Sequence, residues 1–571
     1  MSRVRTTLAV LIALFAILTL LDRFVLVELL LRRTAMPLLL ALAEGLAIVG
    51  VGALLRRGKH VDVPLDFLLG YPVFGTLLYL AGTIKVASAT LVPLLVLGMI
   101  VGVWLLLKRF GDEAYVKPGM PPLRWPAIAV AAVLACGFVA AQAPPSSLDE
   151  LAYHLAAPHT WVLEGRVVEL PLLSHSYFPA GIESADLLPL LLLGSIDGGV
   201  ASHFLHLLAA FATTLLIARR TSSWLATAAI VTTPALAITA GWSLVDWPLA
   251  GAFVALYLAL QDDDLDTASA ATAAGLLIKY TFLPFAIIAW AIKRRLPRWT
   301  VAIGLIFFIR NAIVAGNPFA PFLGGDAPHV SNYRAVALAD YIFEGPFVDE
   351  ALGASLLILP AFATGFLALA SVVIAAAFFL LGPSSRLLVP YLVVPAVNAA
   401  PELRRRTFAV FVAIAVVVQT FLVVWFTART DAFSLLSGTT EQDYLRKARP
   451  SYAAVEWLNR SLPQRSRTLL VGHGETYWFT RPVRGGGNFD GERISRYLDL
   501  PAPEALRERL RKDGITHVAV LAVTPPTADD KKLEERQMTL SPAAQRMLVQ
   551  TLDRYASSVT SHGNATLFTL R

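Results

Sequence analysis

The sequence predicts a polytopic α-helical membrane protein that ends in a water-soluble α/β domain, and three observations carry that reading. Of the 571 residues, 56% are hydrophobic and only 16% are charged, and the mean hydropathy is +0.62, values outside the range of soluble chains. Apolar runs of about 20 residues, the length a helix needs to cross the hydrocarbon core, recur as far as residue 428. From 429 to 571 no run is that long. Charges, prolines and short β-branched segments such as Thr468-Leu-Leu-Val-Gly472 and His517-Val-Ala-Val-Leu521 take over there, which reads as an extracytoplasmic domain of about 140 residues.

The net charge of +7 does not point to a nucleic-acid partner, because the basic residues gather in short clusters at helix ends: Arg56-Arg57, Lys108-Arg109, Arg219-Arg220 and Lys293-Arg294-Arg295. Positive-inside topology accounts for them, with the lipid bilayer as the partner. The lone Cys136 lies in an apolar run, so the chain forms no internal disulfide.

In order along the chain, spans are expected near 7–31, 36–55, 66–84, 88–107 and 125–143. The first, behind Arg3 and Arg5, reads as a retained helix because a small-residue cleavage site is lacking. Residues 1–124 read as added helices and 125–428 as a core with exterior loops at 144–181, 242–247 and 315–350. Within the core, spans are expected near 199–218, 222–241, 300–314, 353–381 and 407–428, with the apolar stretch 248–260 and with 267–292 as two short crossings or one tilted helix, for about 11–13 crossings in all. The segment 387–400, interrupted by Pro390 and Pro395, reads as re-entrant or flat if Arg404-Arg-Arg406 stays inside, and the C-terminal domain is then exterior; if the segment crosses, the domain lies inside, and the three arginines favour the first reading.

The chemistry gathers in Ser147-Leu-Asp-Glu-Leu-Ala-Tyr-His-Leu-Ala-Ala-Pro158, directly after an outward span. On a helix Asp149 and Tyr153 share a face, as do Glu150 and His154, which holds acids at the mouth of a membrane cavity. The bland alternative is that Ser147 caps a helix whose first turn simply favours two acids. A second acid, Asp246 in Val245-Asp-Trp-Pro-Leu249, also follows an outward span. His154, His159 and His175 match no zinc spacing, and Gly485-Gly-Gly487 lacks the Lys and Ser/Thr of a nucleotide loop.

Asp149-Glu150 with Tyr153, then Gly165 and Tyr177-Phe-Pro179, resembles the first exterior loop of the C-type glycosyltransferases (GT-C) that use polyprenyl-phosphate sugars, such as protein O-mannosyltransferases and lipid A aminoarabinose transferases. Lys279-Tyr-Thr281, Arg310-Asn311, Gly316-Asn-Pro-Phe319 and the tail element from Tyr452 to Asn459 follow in the expected order, so the resemblance covers about residues 145–571. It implies a bacterial plasma-membrane glycosyltransferase, hexosyl or pentosyl, moving a sugar from a polyprenyl-phosphate carrier to an extracytoplasmic protein, lipid or glycan acceptor.

The catalytic residues it implies are Asp149 as base, with Glu150 and Asp246. Arg310 and Lys279 would bind the donor phosphate, and Tyr153, His154, Tyr280 and Asn317 would bind substrate. A divalent cation, Mg²⁺ or Mn²⁺, held by Asp149 and Asp246 stays open, since oxygen ligands suit either. The segment Arg386-Leu-Leu-Val-Pro390 follows the family's Arg-Tyr-Leu-Leu-Pro element only loosely and receives no role. The competing reading is a transporter or flippase, in which Asp149, Asp246, Lys279 and Arg310 line a pathway; it calls for pseudo-symmetric halves, and no internal repeat stands out.

Overall fold

The computed structural model describes residues 24–57, 61–110, 121, 124–322, 352–381, 385–430, 432–436, 438–487, 490–521 and 540–571. Most of the expected span 7–31 and of the loop 315–350 lies outside the described residues.

The N-terminal unit is built from α1 (Phe24–Arg56), α2 (Val63–Ile84) and α3 (Ser88–Phe110). The break expected between 31 and 36 is not there: α1 runs straight through Arg32, Arg33 and Pro37. After α4 (Trp125–Ala141) come the short α5 (Ala156–Glu164) and the 35-residue α6 (Leu187–Thr221), which Gly194 kinks at φ 78°. Next are α7 (Trp224–Val231), α8 (Asp246–Gln261), α9 (Leu265–Ile278), α10 (Phe282–Lys293) and α11 (Ile306–Ala315). The bundle closes with α12 (Phe366–Leu381), α13 (Ser385–Asn398) and α14 (Arg406–Arg429).

Among the described residues, five helices are long and apolar enough to cross a membrane, or six if the bent pair Trp224–Val231 and Pro234–Gly241, meeting at 76°, is one span. The expected 11–13 crossings are reached only by counting the shorter apolar helices as well. Burial separates the roles. The apolar stretch of α6 is 83% buried and forms the axis of the bundle, whereas α3 and α14 are 22% and 28% buried. Their outward faces present Leu97, Ile100, Trp104, Phe411, Ile414 and Phe421. Rows of exposed apolar side chains of this extent need lipid around them, so the chain is an integral membrane protein.

The segment expected to be broken by Pro390 and Pro395 is a continuous helix, α13, which packs along α12. The two are tied at one end by Thr364 N–H donating to Asn398 Oδ1 at 2.7 Å. Asn398 also bonds the Tyr257 hydroxyl at 2.8 Å, near the end of α8, so α8 and α13 run side by side from Asp246 and Arg386 respectively. Neighbouring helices that satisfy freed backbone groups are what let prolines persist inside a membrane helix.

The tail folds as expected into an α/β domain. It opens with α15 (Glu441–Ala448) and α16 (Tyr452–Ser461), and its five strands are β1 (Thr468–Val471), β2 (Val483–Arg484), β3 (His517–Leu521), β4 (Ala556–His562) and β5 (Ala565–Leu570), in the order β2-β1-β3-β5-β4. β1 pairs parallel with β2 and β3, and β5 pairs antiparallel with β3 and β4. The tail sits on the 144–181 loop through long-range contacts: Arg467 and Arg484 pair with Glu164 at 2.6 and 3.2 Å, and Asp490 accepts the Ser174 N–H at 3.2 Å. Loop and tail therefore share one side of the bundle.

Candidate active site

The loop begins as a capping arrangement. Glu150 reaches back to the Ser147 N–H at 3.0 Å, the second half of a capping box, so the bland reading of this acid is right as far as it goes. The next turn widens into a π-helix over Glu150–His154, with Leu155 N–H bonded to the Glu150 carbonyl, before α5 starts. Single π turns are frequent at functional sites.

Glu150 is fully buried and its other oxygen accepts from His203 Nε2 at 2.8 Å and from the Ser243 N–H at 2.6 Å. Burial pushes this carboxyl up, and the His203 ring with the two backbone donors overrides it, leaving it below the ordinary glutamate range. Glu150 is thus a strut: it joins the start of the loop to α6 and to the residues just before Asp246, and has no oxygen left for a substrate. Glu150→Gln, which turns an amide donor toward this ring of donors, is expected to cost about 2 kcal/mol, seen as a lower melting temperature in detergent. The stabilisation it removes is present above about pH 4 and is lost as pH falls through the depressed folded value.

The strut brings the two predicted acids together, and the group between them is one the sequence left without a role. Arg386, in the first turn of α13, donates from Nη1 to Asp149 and from Nη2 to Asp246, each at 3.0 Å. Side-chain exposures are 25% for Asp149, 21% for Arg386 and 6% for Asp246, so the triad is half-open on the Asp149 side. Burial raises the Asp149 carboxyl, and Arg386, followed by His154, more than reverses this, so Asp149 stays ionised below the usual aspartate range. The Arg386 Nε–H has no partner among the described residues. Asp246 and Arg386 stand in the first turns of α8 and α13, where the helix dipoles add positive potential.

Lys279 ends α9 and feels the charges of Asp246, Asp149 and Glu183, but forms no ion pair within 4.0 Å among the described residues. Tyr153 lies against His154 at 4.1 Å and stacks on His175 at 4.2 Å between ring centroids. His154 bonds Glu183 at 2.8 Å through Nδ1. Burial pushes His175 down to about 3, so it stacks as a neutral ring.

Arg310, Tyr280 and Asn317 belong to a second cluster. Arg310 donates to Asn311 Oδ1 at 2.6 and 2.8 Å and lies over the Phe307 ring at 5.2 Å; among the described residues no carboxylate pairs with it. Asn311 and Tyr280 hold the Tyr177 carbonyl at 2.7 and 3.0 Å and the Ala320 carbonyl at 3.2 and 3.1 Å, pinning the end of the first loop to the segment after α11. The Gly181 N–H bonds the Leu277 carbonyl at 3.0 Å, and a Cβ on Gly181 would meet the Leu277 and Pro72 carbonyls at 2.7 and 2.8 Å, so the loop must end in glycine here. Asn317 is spent locally, accepting from Phe319 N–H and donating to the Phe322 carbonyl. The two clusters are joined by rings: His175 against Phe178 at 4.9 Å and Phe178 against Tyr280 at 6.0 Å.

The arrangement does not fit a divalent cation between Asp149 and Asp246 while Arg386 bridges them. No group of three His, Cys, Asp or Glu side chains among the described residues is placed to hold a metal. The site has the parts for proton abstraction by an ionised carboxylate beside a cation-rich, partly desolvated surface. Arg386 is the residue that sequence reasoning passed over; the signal available was a single arginine opening an otherwise apolar helix.

No family model matches this chain, and no curated protein matches it. Among solved structures it is similar to the crystal structure of ArnT from Cupriavidus metallidurans bound to undecaprenyl phosphate, with 14% identity, 78% of this chain and 97% of that chain covered, and a TM-score of 0.48. It is similar to the arabinofuranosyltransferase AftD from Mycobacteria at 13% identity, covering 80% and 40% of the two chains with a TM-score of 0.38. For the archaeal oligosaccharyltransferase AglB from Archaeoglobus fulgidus the values are 13%, 92%, 74% and 0.24. All three scores lie below 0.5, and the reading of the site rests on its own geometry.

Proposed function

We propose that this protein transfers a sugar from a polyprenyl-phosphate carrier to a hydroxyl or amine acceptor on the extracytoplasmic face of a bacterial plasma membrane, with Asp149 as general base. The observation that carries the reading is the Asp149–Arg386–Asp246 triad, drawn from three separate elements and left open on the side of Asp149. Among the described residues the Arg386 Nε–H is left without a partner, and Asp149 is the more exposed of the two acids.

In the reaction, the acceptor proton passes to Asp149 as its oxygen or nitrogen bonds to the anomeric carbon. The bond from that carbon to the phosphate oxygen breaks, and the polyprenyl phosphate leaves with the electron pair. The departing charge develops at the bilayer surface, where cations act with more effect than in bulk water. Lys279, which has no direct ion pair among the described residues, and Arg310, which bonds an amide and no acid among them, are the cations to receive it. Asp246 keeps Arg386 in place and offsets positive charge building on the sugar. Tyr153 and His154 line the loop beside Asp149 and would contact the sugar or the acceptor, and Tyr280 acts from behind, through the loop it pins.

The test is incubation of the purified full chain with a panel of polyprenyl-phosphate sugars and acceptor extracts, following release of free polyprenyl phosphate. Release from at least one donor is expected. Absence of release from every donor would overturn the reading and leave transport of a lipid-linked substrate as the better account of the same charges.

A further inference from the structure

The carboxyl end of β1, in the middle of the tail's parallel strands, abuts the first loop of the membrane domain. β1 lies between two parallel neighbours, β2 and β3, and the space beyond the carboxyl end of such a strand is where open α/β sheets take their ligands. The chain leaving β1 is Gly472-His-Gly-Glu-Thr-Tyr477. Its Thr476 and Tyr477 N–H groups both donate to the Leu151 carbonyl, at 3.0 and 3.3 Å. Five residues earlier, the Ser146 carbonyl accepts from Arg449 Nε and the Ser146 hydroxyl bonds the Tyr444 hydroxyl at 2.9 Å. The tail therefore holds both ends of Ser146–Leu151, and Asp149 sits between them.

The holding groups are themselves fixed. Arg449 pairs with Glu475 at 3.3 Å, and Glu475, only 7% exposed, also accepts from Ser451 at 3.1 Å and lies 3.6 Å from His473 Nε2. Burial would raise the Glu475 carboxyl, but Arg449 and His473 drive it down to about 2, so the pair is charged throughout the working range. Around it Leu151, Leu155 and Leu190 pack with Leu470, Tyr477 and Phe479 in one apolar cluster, and the Tyr477 hydroxyl donates to the Ser195 carbonyl. The same cluster takes in Val483, Ala519, Leu521 and Leu567 of the tail's strands, so the loop packs directly on one face of the sheet.

We infer that the C-terminal domain is the positioning device for Asp149, with Arg449 and Glu475 as the positioning residues that keep the Ser146–Leu151 segment in register with Arg386. The inference rests on the reading of Asp149 as the base, and neither residue touches substrate. A displacement of about 1 Å at a reacting group lowers turnover by roughly a hundredfold, while donor binding through Lys279 and Arg310 is unaffected.

The experiment uses the full chain with Arg449→Gln, Arg449→Lys and Glu475→Gln, reading two quantities. For donor turnover, Arg449→Gln and Glu475→Gln are expected to lower kcat by about 10- to 100-fold with donor KM within about twofold, and Arg449→Lys to recover about a third of the wild-type rate or more. In hydrogen exchange, amides 147–155 are expected to open at least about tenfold faster in the Gln variants, with the centre of α6 unchanged. Unchanged kcat in both Gln variants, or a KM rise alone, would overturn the inference. Should the wild type release no polyprenyl phosphate, the proposed activity fails, and the exchange measurement still judges the clamp: unaltered exchange at 147–155 refutes it. Glu475→Gln, nearly isosteric, serves where Arg449 variants do not fold.

Discussion

Asp149→Asn is expected to lower sugar transfer by about three orders of magnitude while the protein still inserts and loses only about 1 kcal/mol of stability, the share of its half-open pair with Arg386. The two effects separate because of where Asp149 sits. Its side chain is 25% exposed and the asparagine can still accept one bond from Arg386, so little packing is lost. What the amide cannot do is take a proton, and it also gives up the charge that pairs with Arg386. Glu150 cannot substitute, since its oxygens are occupied by Ser147, His203 and Ser243. Asp246 cannot either, being 6% exposed and behind Arg386. Turnover within about tenfold of wild type would rule out Asp149 as the base.

Arg386→Gln is expected to produce the second-largest effect, and to change three measurements together. The substitution leaves Asp149 and Asp246 facing each other without the shared cation. Stability is expected to fall by about 2–3 kcal/mol, less than for a fully buried pair because a fifth of the guanidinium is exposed and screened. Turnover is expected to fall by about a hundredfold. The acid limb of the pH–rate profile is expected to move up by at least about one pH unit, because Arg386 holds the Asp149 carboxyl down against burial. The sign follows from linkage: a carboxyl depressed in the folded state contributes stability that is full above its unfolded value, near pH 4, and lost as pH falls through the folded one. Removing Arg386 abolishes that contribution and makes Asp149 a stronger base available over a narrower range. Adding Asp246→Asn to Arg386→Gln should restore most of the lost stability and little of the activity. An unmoved acid limb would show that Arg386 does not control Asp149.

The sequence by itself determined the solvent of each part of the chain. Composition and run length are local quantities, so the division near 428 between lipid-facing helices and an α/β tail could be read directly, and strands at 468–471 and 517–521 formed where short β-branched runs stood. It also pointed to Asp149 and Asp246, because an acid just outside an apolar span is costly enough to mark itself. Helix continuity was less legible. Breaks were expected at 31–36 and 387–400, yet α1 and α13 run through both, and in α13 the Ser371 hydroxyl of α12 donates to the Tyr391 carbonyl that Pro395 leaves free.

Tertiary structure alone decided which charges meet. Arg386 is 237 residues from Asp149 and 140 from Asp246 along the chain, and only the side-by-side run of α8 and α13 places it between them. The same holds for Glu150, whose neighbour Asp149 looks equivalent in sequence. The π turn directs Glu150 into a cage of donors from α6 and residue 243 and leaves Asp149 at the opening. Which of two adjacent carboxylates becomes strut and which stays at the opening is a matter of what long-range packing brings to each, and local sequence carries no record of that.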